Sequence, residues 1–242
     1  MGAPFPWLPG EHMAVIGDTG TGKTYLLAKA ILPMRRYVVV FKTKADKDDD
    51  SKWRGYHRIR KASGIMDERY DRFLLDPPYS RQAVEGYHLL ERVYRQGGWT
   101  VVIDEGWLTE RLGLQEYIER LLTQGRSQGI SVVFGQQRPV TTSRFVISQC
   151  THLFTFRVEG RDAVTIGESA TPRLLPYISE TYAERHKDTS RLLSGHDFAY
   201  YHRPTRTVGV GNARSIDGLL RAPRGAAERA AVPSAKIASG TA

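Results

Sequence analysis

The octapeptide Gly17-Asp18-Thr19-Gly20-Thr21-Gly22-Lys23-Thr24 fits the pattern G-x-x-x-x-G-K-[ST] in full and adds a further glycine at position 20. Backbone N–H groups can wrap a chain of phosphates only where side chains do not intrude, which is why glycine recurs in such a loop. Lys23 would bring positive charge to the β- and γ-phosphates of ATP, and the Thr24 hydroxyl would offer a ligand to Mg²⁺. A helix starting at this point directs its positive end at the triphosphate. A second acidic element, Asp104-Glu105, follows 81 residues after Lys23, at the end of the apolar run Thr100-Val101-Val102-Ile103. Two carboxylates there divide the work of hydrolysis: Asp104 serves the metal through water, and Glu105 orients and polarises the attacking water.

Both motifs need strands to carry them and helices to follow. Residues 12–16 read as a buried strand leading into the glycine-rich loop, and residues 25–32 as a helix stopped by Pro33. Residues 37–41 are apolar and β-branched, as core strands of parallel sheets are. Residues 42–63 are polar and read as a long loop, with a short strand at 72–75. The apolar set Ala83, Tyr87, Leu90 and Tyr94 has helical spacing, ended by Gly97-Gly98. Strand 100–103 precedes a helix marked by Leu114, Ile118, Leu121 and Leu122 and closed by Gly125. Residues 130–134 and 152–156 give two more strands, and 198–202 with 206–210 flank a late β-hairpin. Strands alternating with helices specify an α/β fold with a mostly parallel central sheet flanked by helices, and the glycine-rich loop set between a strand and a helix reads as that of a P-loop NTPase.

Two local signals carry less. Thr43-Lys44-Ala45-Asp46 imitates a guanine-reading TKxD but comes before the acidic strand rather than after it, which argues against GTP. Between 52 and 61, Lys52, Arg54, Arg58, Arg60 and Lys61 interleave with Trp53, Tyr56 and His57. That mixture suits a nucleic-acid loop, or equally a solvated surface.

Composition sets outer bounds. The 242 residues carry a formal charge of +9 and 40% hydrophobic residues, enough for a packed core and a bias toward polyanionic partners. No apolar run approaches a membrane span, and residues 1–6 carry neither a signal-peptide nor a myristoylation pattern, so direct membrane insertion is not expected. Cys150 is the single cysteine, and the seven histidines show no metal-ligand spacing. Residues 1–211 are expected to form the motor domain. Residues 212–242, rich in Ala, Arg and Gly, with five basic and two acidic side chains, are expected to form a flexible basic tail.

From Trp99 to Pro139 the order is apolar strand, Asp104-Glu105, amphipathic helix, Gln124-Gly125-Arg126-Ser127-Gln128-Gly129-Ile130, strand, and Gly135-Gln136-Gln137-Arg138-Pro139. This resembles the FtsK–HerA superfamily of DNA-translocating ATPases, in which a GR-x-x-G-I segment leads into a strand ending in TQRP. Residues 153–158 and 193–200 resemble later strands of the same core, so the likeness runs from about residue 10 to 211. It implies that Arg126 is an arginine finger reaching the γ-phosphate held by a neighbouring subunit. It also implies that Gln137, with the adjacent Gln136 as the other register, is a sensor at the strand end. A finger acting in trans implies a homo-oligomer, in this superfamily usually a hexameric ring around double-stranded DNA. With no further domain expected on either side of the core, the chain is most similar to genome-packaging ATPases of tailless, membrane-containing double-stranded DNA viruses. These act in the host cytoplasm or on the virion, docked on a capsid vertex or a membrane protein. A plasmid-transfer or segregation ATPase and a nucleotide-switched virion assembly factor are the alternatives.

Overall fold

The computed structural model describes residues 7–43, 51–139 and 144–214. Nine strands form one sheet in the order β3-β4-β2-β5-β6-β1-β7-β8-β9. The first of them, β1 (Met13–Ile16), lies between β6 (Ser131–Gln136) and β7 (His152–Thr155), parallel to both. It leads through the glycine-rich loop into α1 (Lys23–Leu26), which continues as a π-turn to Ile31 and a 3₁₀ turn to Met34. Pro33 therefore does not stop the helix as expected. It sits in the first turn of the 3₁₀ segment, where its missing N–H costs nothing.

β2 (Val38–Phe41), β4 (Arg72–Leu75) and β5 (Thr100–Ile103) are parallel and complete the sheet toward β3 (His57–Ile59). α2 (Gln82–Gln96), α3 (Gly106–Arg111) and α4 (Gln115–Gln124) flank β5 in sequence. α5 (Arg144–Gln149) precedes β7. α6 (Gly160–Ser169), α7 (Leu175–Ile178) and α8 (Glu180–Arg185) fill the crossover to the antiparallel pair β8 (Asp197–His202) and β9 (Thr207–Asn212).

Alternation along the strands sends side chains to both faces, so both must be covered. Val39, Phe41, Val101, Ile103 and Phe134 join Leu89 and Val93 of α2 and Ile118 and Leu121 of α4 on one face. Val38, Val40, Val102 and Val133 meet Leu26, Leu27 and Ile31 on the other, where Trp7 and Trp53 complete the cover.

The segment 42–63, expected to be a loop, contains the edge strand β3. Only Ile59 of its three residues is buried, so its sequence carries no apolar run to reveal it. Several of its basic and aromatic residues also pack against the fold. Trp53 is 2% exposed, the His57 ring stacks on Tyr70, and Arg58 pairs with Asp76 at 3.1 Å. Lys44 to Asp46 and the bulk of the tail, 215–242, lie outside the described residues. Asn212 closes β9, and Ala213 is 1% exposed with its N–H donating to the His196 carbonyl at 2.9 Å.

A buried histidine ties the start of β1 to its neighbours. His12 Nε2 donates to the Leu122 carbonyl at 3.1 Å, and its Nδ1 accepts the Val132 N–H at 3.1 Å. Burial disfavours the imidazolium and holds the pKa down to about 4.

Candidate nucleotide site

The phosphate-loop residues and the acidic pair come together at the carboxyl ends of the parallel strands, where open α/β sheets bind ligands. A cavity of ≈ 300 Å³ is lined there by Thr19, Lys23, Thr24, Asp104, Glu105 and Gln137, among others. The loop owes its shape to its sequence. Gly22 caps α1 with φ 106°, a left-handed conformation that side chains resist. The Thr21 hydroxyl donates to the Asp18 carbonyl at 2.9 Å. The Thr21 carbonyl meets His196 Nδ1 at 3.0 Å, so the turn before β8 braces the loop from behind. Lys23 lies along the loop, with Nζ 2.6 Å from the Gly17 carbonyl and 2.7 Å from that of Asp18.

The acidic pair is set by two adjacent strands. Asp104 and Glu105 follow the last residue of β5, and Gly135 of β6 passes beside them. A Cβ at 135 would stand 2.6 Å from the Asp104 carbonyl oxygen, so only glycine permits this approach. Glu105 is 3% exposed, and its Oε2 accepts the Trp107 indole N–H at 3.1 Å. That donor went unnoticed in the sequence because a Trp two residues past the acidic pair's glutamate has no motif.

The two adjacent glutamines differ in their surroundings. Gln137 lines the cavity and its Oε1 accepts the Thr19 hydroxyl at 3.2 Å. Gln136 is 2% exposed, turns its Nε2 to the Arg138 carbonyl at 2.9 Å and leaves Oε1 buried without a partner. Tyr25, Leu27 and Lys52 also line the cavity. Tyr25 and Leu27 read simply as helix residues, and Lys52 arrives from a loop that only the tertiary fold brings near.

Arg126 does not join this group. It lies in the 3₁₀ turn Gly125–Gln128 after α4, against Gly10, where a Cβ on Gly10 would be 2.5 Å from its carbonyl oxygen. Gly10 precedes β1 and the phosphate loop follows it, so Arg126 stands at the opposite end of the sheet from its own phosphate loop. It is exposed and has no carboxylate partner among the described residues.

The site's donors fit a magnesium nucleotide. Thr24 and Asp104 line the cavity with a hydroxyl and a carboxylate, oxygens of the kind Mg²⁺ takes, beside an open glycine cradle in which a Cβ on Gly20 would meet nothing within 4 Å. Among the described residues no group of three or more His, Cys, Asp or Glu side chains gathers to hold a metal. No described helix is long and apolar enough to cross a membrane.

No protein-family model matches the chain. It is similar to the DNA packaging ATPase P9 of Enterobacteria phage PRD1, 28% identical over 161 residues that cover 64% of this chain and 68% of that protein. Among solved structures, it resembles the genome packaging NTPase B204 from Sulfolobus turreted icosahedral virus 2 in complex with AMP. The TM-score is 0.64 at 16% identity, over 85% of this chain and 98% of that one. The complex of B204 with AMPPCP gives the same TM-score of 0.64 at 15% identity, over 84% and 98% of the two chains. The cytoplasmic domain of the Type VII secretion ATPase EccC of Thermomonospora curvata matches at TM-score 0.52 and 13% identity, over 85% of this chain and 25% of that one. The chain is thus similar in sequence to a viral DNA packaging ATPase and shares the fold of viral genome-packaging NTPases.

Proposed function

We propose that this chain is the ATP-hydrolysing subunit of a motor that drives double-stranded DNA into a viral particle, acting as a homo-oligomeric ring in the host cytoplasm or on the virion. The observation that carries the reading is the division of the site. Loop, lysine and acidic pair converge at one end of the sheet, while the exposed Arg126 stands at the other end, facing away from its own cavity. The relationship to a packaging ATPase supports the direction of the work.

In this reading the glycine-rich loop binds ATP through residues 17–24. Lys23, now engaged with the Gly17 and Asp18 carbonyls, exchanges them for phosphate oxygens. Thr24 and, through water, Asp104 would hold Mg²⁺, which would neutralise charge on the phosphates. Glu105 accepts a proton from the attacking water, with the Trp107 N–H fixing the carboxylate that does so. Gln137, linked to Thr19 of the loop, reports whether the γ-phosphate is present. Arg126 stabilises charge on the phosphoryl group held by the next subunit, a contribution of ~10³–10⁵ in rate for such fingers.

The test is steady-state ATP hydrolysis with and without long double-stranded DNA at low and moderate salt. Stimulation by DNA that fades with salt is the expected result, because the grip is on phosphates. Robust turnover indifferent to DNA would leave the ATPase standing and shift the reading toward an assembly or transfer factor that needs its partner.

A further inference from the structure

A second cavity, larger than the nucleotide site at ≈ 570 Å³, opens at the strand-start end of β7 and strand-finish end of β8. The tight turn 203–206 between β8 and β9 and the 3₁₀ turn Pro172–Leu174 bound it. It lies across the sheet's length from the phosphate loop, which follows the other end of β1. Three arginines, Arg173, Arg203 and Arg206, line it together with Thr171 and Tyr201, and no carboxylate does. Among the described residues none of the three guanidiniums has an acidic partner.

These arginines are held, not merely gathered. Arg203 Nε donates to the Cys150 carbonyl at 3.0 Å, and its Nη2 to those of Ile147 at 3.0 Å and Ser169 at 3.2 Å. Three carbonyls fix the plane of that guanidinium and leave its Nη1 with no acceptor among the described residues. Arg173 Nη1 donates to the Arg206 carbonyl at 3.2 Å, which locks two walls together. Arg206 has φ 55°, one of two left-handed non-glycine residues among those described. A hairpin turn at that position favours glycine or asparagine, so arginine there is a local concession of stability. Collecting three like charges without an acid is a second one, and an anion seated among them removes it.

The chemistry selects the anion. A guanidinium fork matches the paired oxygens of a phosphate. No aromatic face is open to seat a base: Tyr201 is 5% exposed and lies under the Arg203 guanidinium, 5.9 Å from its centroid. A mononucleotide would therefore find phosphate contacts and nowhere for its base, whereas a duplex keeps its bases stacked inside and carries its phosphates on the outside. We propose that Arg173, Arg203 and Arg206 form a grip for the phosphodiester backbone of DNA, separate from the ATP site. The proposal rests on the motor reading, and it predicts contacts indifferent to base sequence.

The test uses the full chain, with Arg206→Gly and Arg173→Gln as variants and a fluorescent mixed-sequence duplex as probe. Each lost phosphate contact is expected to weaken duplex binding about fivefold near 0.15 M salt and to reduce the slope of log K against log salt by about 0.9. Arg206→Gly is expected to keep or raise the melting temperature, because glycine suits that φ, so lost binding cannot be blamed on misfolding. Turnover without DNA, and its KM for ATP, should match the wild type. Variants that bind duplex as the wild type does, or that lose affinity only for poly-glutamate, overturn the DNA grip; the latter would point to an acidic protein. A raised KM for ATP overturns it too, by returning the cavity to nucleotide. Failure of the wild type itself to bind duplex at any salt overturns the motor reading instead.

Discussion

If Arg126 serves the neighbouring subunit, two inactive variants should restore each other. Glu105→Gln removes the base but leaves the finger, and Arg126→Ala removes the finger but leaves the base. The geometry demands this separation: β1 alone, from Met13 to Ile16, sets roughly 10 Å between Arg126's end of the sheet and the phosphate loop, and both loops extend outward from it. Taken alone, Glu105→Gln is expected to lose ~10²–10⁴ in turnover and Arg126→Ala ~10³–10⁵. In rings assembled from equal amounts of both, a site is whole when an Arg126→Ala subunit supplies Glu105 and its neighbour, Glu105→Gln, supplies Arg126. Random assortment makes about one site in four whole, so activity should rise from near zero to about a quarter of the wild-type value per site. The assay is ATP turnover by co-expressed, differently tagged variants purified through both tags. Mixed rings no more active than the mean of the two separate variants would refute the trans assignment.

Other consequences follow from individual contacts. Lys23→Ala is expected to abolish nucleotide binding, measured by calorimetry with a non-hydrolysable analogue, while leaving melting unchanged. Gly135→Ala drives a Cβ to 2.6 Å from the Asp104 carbonyl. It should cost about 1–3 kcal/mol and stop hydrolysis even where the protein remains folded; wild-type turnover would contradict the assigned closeness of β5 and β6. His12 stays neutral in the fold with a pKa of about 4 against 6.5 when free. Above pH 6.5 neither state binds the proton and stability is full. Between 6.5 and about 4 the unfolded chain gains the proton and the folded chain does not, so about 3 kcal/mol drains away. A pH series of melting temperatures should show this slope in the wild type and lose it in His12→Asn. Ending the chain at 211 rather than 214 removes the Asn212–Asp197 bond and buried Ala213. The shorter chain should melt a few degrees lower, at about 1–2 kcal/mol less stability.

Much of this molecule is written in short-range pattern. The phosphate loop is legible because its chemistry demands glycines at fixed spacing from a lysine and a hydroxyl, all within eight consecutive residues. The parallel strands are legible because burial on both faces leaves runs such as Val38-Val39-Val40-Phe41, and the late hairpin because the turn-forming Arg203-Pro204-Thr205 separates two segments with strand-forming residues. Where burial was partial the pattern failed. β3 is an edge strand with one buried residue, and α7 and α8, four and six residues long, are too short for a helical period to emerge.

What the tertiary structure alone decided concerns distance and direction. Gln136 closes β6 and Gln137 follows it; the two look alike in sequence, and only the fold turns Gln137 toward Thr19 and buries its neighbour. Trp53 reads as a stacking platform beside basic residues, and packing makes it part of the core. The arginines at 173, 203 and 206 are scattered along the chain, and the β8–β9 turn gathers them around one cavity. Sequence motifs record chemistry confined to a few consecutive residues; contacts between distant segments leave no such record, because any of many pairings satisfies the same local pattern until the whole chain packs.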